Sequence, residues 1–317
     1  MVATEERGPT APVQGPTLVV MAAGIGRRFG SPKQVEAVGL SGETILDYSV
    51  FDALAAGFQK VVVVLSREIE GEFRKRVEAT IGRACDVDCV IQALEPTPSN
   101  LSAPSARQKP WGTAHAVLVS QDHVRTPFGV INADDFYGGE AFTRLGAYLK
   151  EARDHEGELD VCMVGFPLEN TLTKHGQVSR GVCTVGSDGY LIGVQEQTRI
   201  ERRGRQVGYL DDREEWVPIP SGRLASMNMW GFTPSFFVEL DLGFKAFLQK
   251  GGTQLIEGEY RLPDVVHQLL AQGRAKVKVL PSAGQWFGVT YRQDITEVKG
   301  HIKALVDKGE YPRRLWG

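Results

Sequence analysis

Long apolar runs are missing from this sequence, and so is any surplus of positive charge. No apolar stretch approaches the ~20 residues that a membrane-crossing helix needs, so no membrane partner is expected. Lysine and arginine number 36 against 39 aspartates and glutamates, for a formal net charge of −3. No basic field therefore marks a nucleic-acid binder, no nucleic-acid partner is expected, and any cationic site must be local. Cysteine is sparse: Cys85, Cys89, Cys162 and Cys183 form no CxxC pair, and the six histidines show no metal or triad spacing. Buried, reduced thiols are the expectation. Residues 1–16, MVATEERGPTAPVQGP, lack the apolar segment of a signal peptide and read as a disordered leader, with the cytoplasm as the expected compartment.

What is present is an ordinary globular composition, 42% hydrophobic and 24% charged over 317 residues, enough for a sizeable core. Strand-like and helix-like segments alternate from residue 18 to about 134, which predicts parallel strands joined by right-handed crossovers. Strands are predicted at 18–23, 60–66, 88–92 and 128–134. Helices are predicted at 44–57, 67–82 and 112–121, and residues 95–110 read as a Pro/Ser-rich loop. The second half reads differently. Residues 182–197 suggest a hairpin around Ser187-Asp188-Gly189, residues 199–223 a polar excursion, and 224–232 and 275–280 strands. Helices are predicted near 234–250, 262–273 and 291–308, followed by an exposed YPRRLWG tail. No repeat or linker divides residues 17–317, so one α/β domain with a partly antiparallel second half is expected.

The segment TLVVMAAGIGRRFGSPKQ, residues 17–34, runs from a buried strand into glycines and cations. In open α/β sheets ligands lie beyond the carboxyl ends of the strands, where this loop falls. Gly24 and Gly26 let the backbone approach an anion with its N–H groups, and Arg28 and Lys33 add fixed positive charge. A dinucleotide fingerprint fails because Phe29 occupies the third glycine position, and no GxxxxGK[ST] loop exists. A loop that grips phosphate remains.

AAGIGRRFGSPKQ resembles the AAGxGxR…PK signature of the nucleotidyltransferases, the superfamily of sugar-phosphate nucleotidyltransferases or nucleotide-sugar pyrophosphorylases. Other segments follow in the family's order: QKPWGTAHAV (108–117), VINADDFYG (130–138), HGQV (175–178), EQT (196–198), NMWGF (228–232) and EYRLPD (259–264). The resemblance implies a Rossmann-like, GT-A-like three-layer α/β sandwich with a mixed, mostly parallel central sheet. It implies a nucleotide-binding half at about 17–150 and a sugar- or acceptor-binding half at about 151–317. It implies a Mg2+-dependent transfer of a nucleotidyl group from a nucleoside triphosphate to a sugar 1-phosphate, with Arg28, Lys33 and Asp134 catalytic. Ala22, Ala23, Gly24, Gly26, Gln108, Gly112 and Thr113 would bind nucleotide, Gln108 on the base edge and Gly112 making room for the ring. Gly176, Glu196 and Asn228 would meet the acceptor. Asp134 would hold the metal, and Asp135 would instead cap the next helix.

Three positions depart from the family pattern. Gln197 stands where a phosphate-contacting lysine is usual. Gly288, in Trp286-Phe287-Gly288, stands where a second metal aspartate is usual, which makes Asp294 a candidate substitute ligand. The Arg28-to-Lys33 interval is short, as in cytidylyltransferases and molybdenum-cofactor enzymes. Trp111 and Trp230 suit either base and sugar stacking or the core. The amide of Gln108 suits the edge of uracil or thymine, so a pyrimidine triphosphate is expected. The alternatives are a non-sugar acceptor such as phosphocholine or a polyol phosphate, a non-catalytic nucleotide-sugar sensor, and last a glycosyltransferase. A homo-oligomer is compatible with all of them.

Overall fold

In the computed structural model, which describes residues 15–24, 36–95, 104, 106–173, 176–288 and 294–316, the first strand β1 (Thr17–Met21) is buried along its whole length. Leu18 and Val20 point into one core and Val19 and Met21 into another. A strand apolar on both faces belongs inside a sheet covered on both sides. β2 (Lys60–Leu65), β3 (Asp86–Ile91) and β4 (Phe128–Asn132) run parallel to it in the order β3-β2-β1-β4. The helix α1 (Ile45–Ala55) starts at Thr44, whose hydroxyl accepts from the Asp47 N–H while Asp47 accepts from the Thr44 N–H. This reciprocal cap sets its N-terminus.

The sheet continues through β11 (Leu224–Phe232), antiparallel to β4, then β6 (Leu159–Pro167) and β12 (Ala275–Pro281). β4 and β6 both oppose β11, and β12 runs parallel to β6, so β11 alone is reversed in this central array. Helices α1, α2 (Glu70–Ala79) and α4 (Gly139–Glu151) cover one face. Helices α3 (Thr113–Leu118), α5 (Phe236–Gln249) and α7 (Leu262–Ala271) cover the other. The Rossmann-like three-layer sandwich is therefore present. A short helix α6 (Thr253–Glu257) and the two-stranded pair of β5 (Asp135–Phe136) with β13 (Phe287–Gly288) lie outside this array.

β7 (Val178–Val185), β8 (Leu191–Arg203), β9 (Gln206–Leu210) and β10 (Trp216–Pro218) form an antiparallel ribbon attached to β11. The hairpin around Gly189, with φ +79, is where it was expected. The expected excursion at 199–223 is instead largely strand. Of its apolar side chains only Ile200 and Val207 are buried, so the period-2 signal was too thin to read. Helix α4 and strand β6 had no predicted counterpart.

The expected exposed tail is a second correction. α8 (Asp294–Asp307) leads into a terminal segment that packs on α1, with Tyr311 and Leu315 buried. The Tyr311 hydroxyl donates to Asp52 at 2.7 Å and the Trp316 indole N–H to Asp47 at 2.9 Å. Cys85 and Cys89 are half-buried, against the expected burial, while Cys162 and Cys183 are buried. All four thiols are free.

Candidate active site

Beyond β1 the chain is held at the sheet edge: the Ala22 N–H donates to Val64 O at 2.8 Å and the Ala133 N–H to Met21 O at 3.2 Å. Ala22 and Ala23 are buried, and Gly24 is exposed. A Cβ built on Gly24 meets nothing within 4 Å, so packing does not explain this glycine. Gly26, Arg28 and Lys33 lie outside the described residues.

The loop before α3 is clamped by Arg107, which sequence reading passed over. Its guanidinium donates to Leu255 O at 3.0 Å, Pro110 O at 2.6 Å and Gly258 O at 3.1 Å, and lies 3.8 Å from the Trp111 ring. Gln108, beside it, is exposed. Gly112 has φ +113, and an added Cβ would meet Tyr260 O at 2.5 Å. The fold alone thus demands glycine there. The Thr113 hydroxyl accepts from the Leu262 N–H at 2.9 Å and joins the starts of α3 and α7. His115 is a buried core residue whose burial pulls it down to about 4, so it stays neutral.

β4 delivers a cluster of polar groups. Asp134 is half-buried in the turn after the strand. Asp135 accepts from Asn132 Nδ2 at 2.8 Å and lies 3.4 Å from the Tyr137 hydroxyl. That hydroxyl donates to Met227 O at 2.9 Å and so ties the cluster to β11. Burial and the neighbouring Asp134 charge raise the Asp135 carboxyl well above the usual carboxylate range. Asp135 does not cap α4, whose N-cap Gly138 has no side-chain cap bond.

A cavity of about 520 Å3 opens beside this cluster. β11 creates it. Its residues Ala225 and Ser226 pair with β7, while Trp230 to Phe232 pair with β4. Between them the register shifts, and Asn228 adopts φ +58. The irregularity splits the sheet into two branches, and the cavity fills the fork. Asn228, Glu196 and Thr113, all expected at the site, line it together with Asp135. Gly176, exposed at φ +139, Gln108 and Gly112 do not. Asp294 sits at the first turn of α8, in the wall of a neighbouring cavity that also contains Gly288.

Sequence reading missed the groups that give this cavity its character. Ser226 Oγ, Trp230 Nε1 and Trp286 Nε1 are buried, belong to residues that line it, and have no hydrogen-bond partner among the described residues. Arg180, on β7, lines it too. The Arg180 guanidinium donates to Thr171 O at 2.5 and 3.1 Å and to Ser179 O at 2.8 Å, and lies 4.9 Å from the Trp286 ring. Burial pulls its pKa down, against the nearby charges of Asp135 and Glu196. Arg261 is neutralised by a two-point pair with Asp264 at 2.8 and 3.1 Å.

Comparison with known proteins agrees with this architecture. Residues 18–132 match the family model of the MobA-like NTP transferase domain. The inositol-1-phosphate CTP transferase from T. maritima aligns over 92% of this chain and 97% of its own, at 15% identity and a TM-score of 0.57. A protein from Bacillus anthracis assigned as a glucose-1-phosphate thymidylyltransferase, in complex with a sucrose, aligns over 90% and 95%, at 11% identity and a TM-score of 0.60. At these identities the two show a shared fold. No curated protein sequence matches the chain. No helix among the described residues is long and apolar enough to cross a membrane.

Proposed function

We propose that the protein transfers a nucleoside monophosphate from a nucleoside triphosphate, a pyrimidine one by preference, to the phosphate of a sugar 1-phosphate or a closely related polyol phosphate. An oxygen of the acceptor phosphate bonds to the α-phosphorus. The bond from that phosphorus to the bridging oxygen breaks, and pyrophosphate leaves with the electron pair. Positioning and charge neutralisation carry such a transfer. Arg28 and Lys33 are the cations assigned to the triphosphate, and Gln108 to the base edge.

One observation favours a hydroxyl-rich acceptor: the unpartnered Trp230 Nε1, Trp286 Nε1 and Ser226 Oγ in the cavity wall. An indole N–H only donates, so its partner must bring an oxygen lone pair, and leaving it unpaired costs about 1–3 kcal/mol. Sugar and polyol hydroxyls supply those lone pairs. The quaternary ammonium of phosphocholine has none.

The acidic residues fit magnesium. Adjacent Asp134 and Asp135 disfavour each other's ionisation, a repulsion that a bound dication relieves. Among the described residues no three His, Cys, Asp or Glu side chains are gathered for a metal, which suits an ion that keeps waters and takes substrate phosphates as ligands. When bound, the ion would neutralise charge on those phosphates. A Cβ built on Gly288 would collide with Asp135 Oδ1. Asp135 thus occupies the space beside position 288, and a sensor reading based on the missing carboxylate loses its main motive. The test is pyrophosphate release across ATP, GTP, CTP, UTP and dTTP, each with glucose 1-phosphate, myo-inositol 1-phosphate and phosphocholine. Release with a sugar or polyol phosphate is expected. Release with phosphocholine alone, or with none, rejects the assignment.

A further inference from the structure

Arg180 is an unusual residue for its place. It sits mid-strand on β7 in the wall of the fork cavity, and its partners are neutral carbonyls, those of Thr171 and Ser179. The carboxylates near it, Asp135 and Glu196, act on it through charge alone, and among the described residues none pairs with Arg180 within 4.0 Å. Arg261, on the same cavity, is by contrast locked to Asp264. A partly desolvated guanidinium with no ion-pair partner costs free energy until an anion joins it. Three hydrogen bonds occupy part of its five-donor fork, which leaves donors for a ligand.

The pairing of β7 with β8 adds a second, independent observation. Arg180 lies directly opposite Gln197 in the antiparallel register. Directly opposed residues put their side chains on the same face of the sheet, with Cβ atoms ~5 Å apart. Gln197 carries no charge, so the only cation of this cross-strand pair is Arg180.

We infer that Arg180 is the cation that grips the acceptor's phosphate, doing from β7 what a basic residue at position 197 would do from β8. The inference rests on the nucleotidyl-transfer reading for the identity of the ligand, but not for its charge. A planar fork beside Trp286, with spare donors, suits two-point binding of a phosphate. The unpartnered indole N–H groups and Ser226 then lie on the same cavity wall for the acceptor's hydroxyls.

Calorimetric titration of the full chain with glucose 1-phosphate, myo-inositol 1-phosphate and CTP tests this. It compares wild type, Arg180→Gln, Arg180→Lys and the swap Arg180→Gln/Gln197→Arg, with a melting curve for each. Arg180→Gln is expected to weaken both acceptor phosphates by about tenfold or more, the effect of losing a charge-assisted hydrogen bond. CTP binding should stay as in wild type. Arg180→Lys is expected to weaken acceptor phosphates less than Arg180→Gln. The swap should recover most of the lost acceptor affinity, which a residue that merely staples Thr171 would not do. Wild-type acceptor affinity in Arg180→Gln, no recovery in a folded swap, or no binding of either phosphate by the wild type overturns the assignment. Arg180-dependent phosphate binding without pyrophosphate release from any triphosphate would instead reject nucleotidyl transfer and leave the phosphate site standing. Turnover whose acceptor KM ignores Arg180 would do the reverse.

Discussion

The two halves of the sheet solve different problems. In β3-β2-β1-β4 the strands are parallel and regularly paired, and β1 is apolar on both faces. In the β7-to-β11 branch the strands are antiparallel, register shifts recur, Asn228 takes a left-handed backbone, and buried polar atoms lack partners. The family model stops at residue 132, the last residue of β4. The segment that matches the family model thus coincides with the regularly paired, parallel strands. The second half carries local departures from regular packing. Polar groups left unsatisfied at a cost in stability are expected where a ligand completes them.

If this division holds, changes in the first half should cost turnover and changes in the second should cost acceptor affinity. The largest effect is expected for Asp134→Asn, with turnover below detection in steady-state pyrophosphate release and with the fold intact by circular dichroism. Wild-type turnover would remove the metal assignment. Lys33→Ala should lower kcat by about a hundredfold at saturating substrates, the usual loss of one transition-state charge contact. Unchanged kcat in both Lys33→Ala and Arg28→Ala would dissolve the phosphate loop. Trp230→Phe keeps an aromatic ring in the core and deletes the unpartnered N–H with the rest of the fused ring, so acceptor KM should rise roughly three- to tenfold. Its kcat should stay near wild type, while the cavity left in the core lowers the melting temperature. A fall in kcat alone would break the contrast.

The smallest effect lies outside both halves, where the terminal segment meets α1. Burial pushes the Asp52 carboxyl up to about 7, against the hydrogen bond from Tyr311 that lowers it. Between pH 4 and 7 the folded protein therefore holds a proton there that the unfolded chain has released. Stability from this site is present at low pH and is lost as pH rises toward 7. Asp52→Asn keeps an oxygen for Tyr311 and has no proton to lose. Relative to wild type it should be more stable at pH 8 by up to roughly 2–4 kcal/mol, with the gap narrowing steadily as pH falls and closing near pH 4. A constant gap across that range in thermal melts would contradict the buried-acid assignment.

The parallel half was largely legible, because its apolar runs and capping residues are local signals. Strands at 17–21, 60–65 and 128–132, the Thr44 cap and the glycine at 57 follow from short-range chemistry. The superfamily was legible for the same reason, since AAGIGRRFGSPKQ and VINADDFYG are contiguous. The β9 and β10 strands were not, because two adjacent buried residues in β9 and none in β10 give no alternation to detect. The docked tail was not, because Tyr311 and Trp316 look exposed until α1 supplies Asp52 and Asp47.

The acceptor site divides along the same line. Glu196 and Asn228 were readable from motif position, and the cavity contains both. Arg180 was not, since its meaning depends on a strand partner 17 residues away, Gln197, and on the absence of an ion pair. Trp111 and Trp230 were undecidable between core and ligand until the fold paired the Trp111 N–H with Leu94 O and left that of Trp230 without a partner among the described residues. By itself the sequence determined most of the strands and helices of the first half, which depend on neighbours within a few residues. Only the tertiary structure decided where the cavity opens, because the fork at Asn228 arises from long-range pairing, and unpaired charge and donors exist only once other groups have packed around them.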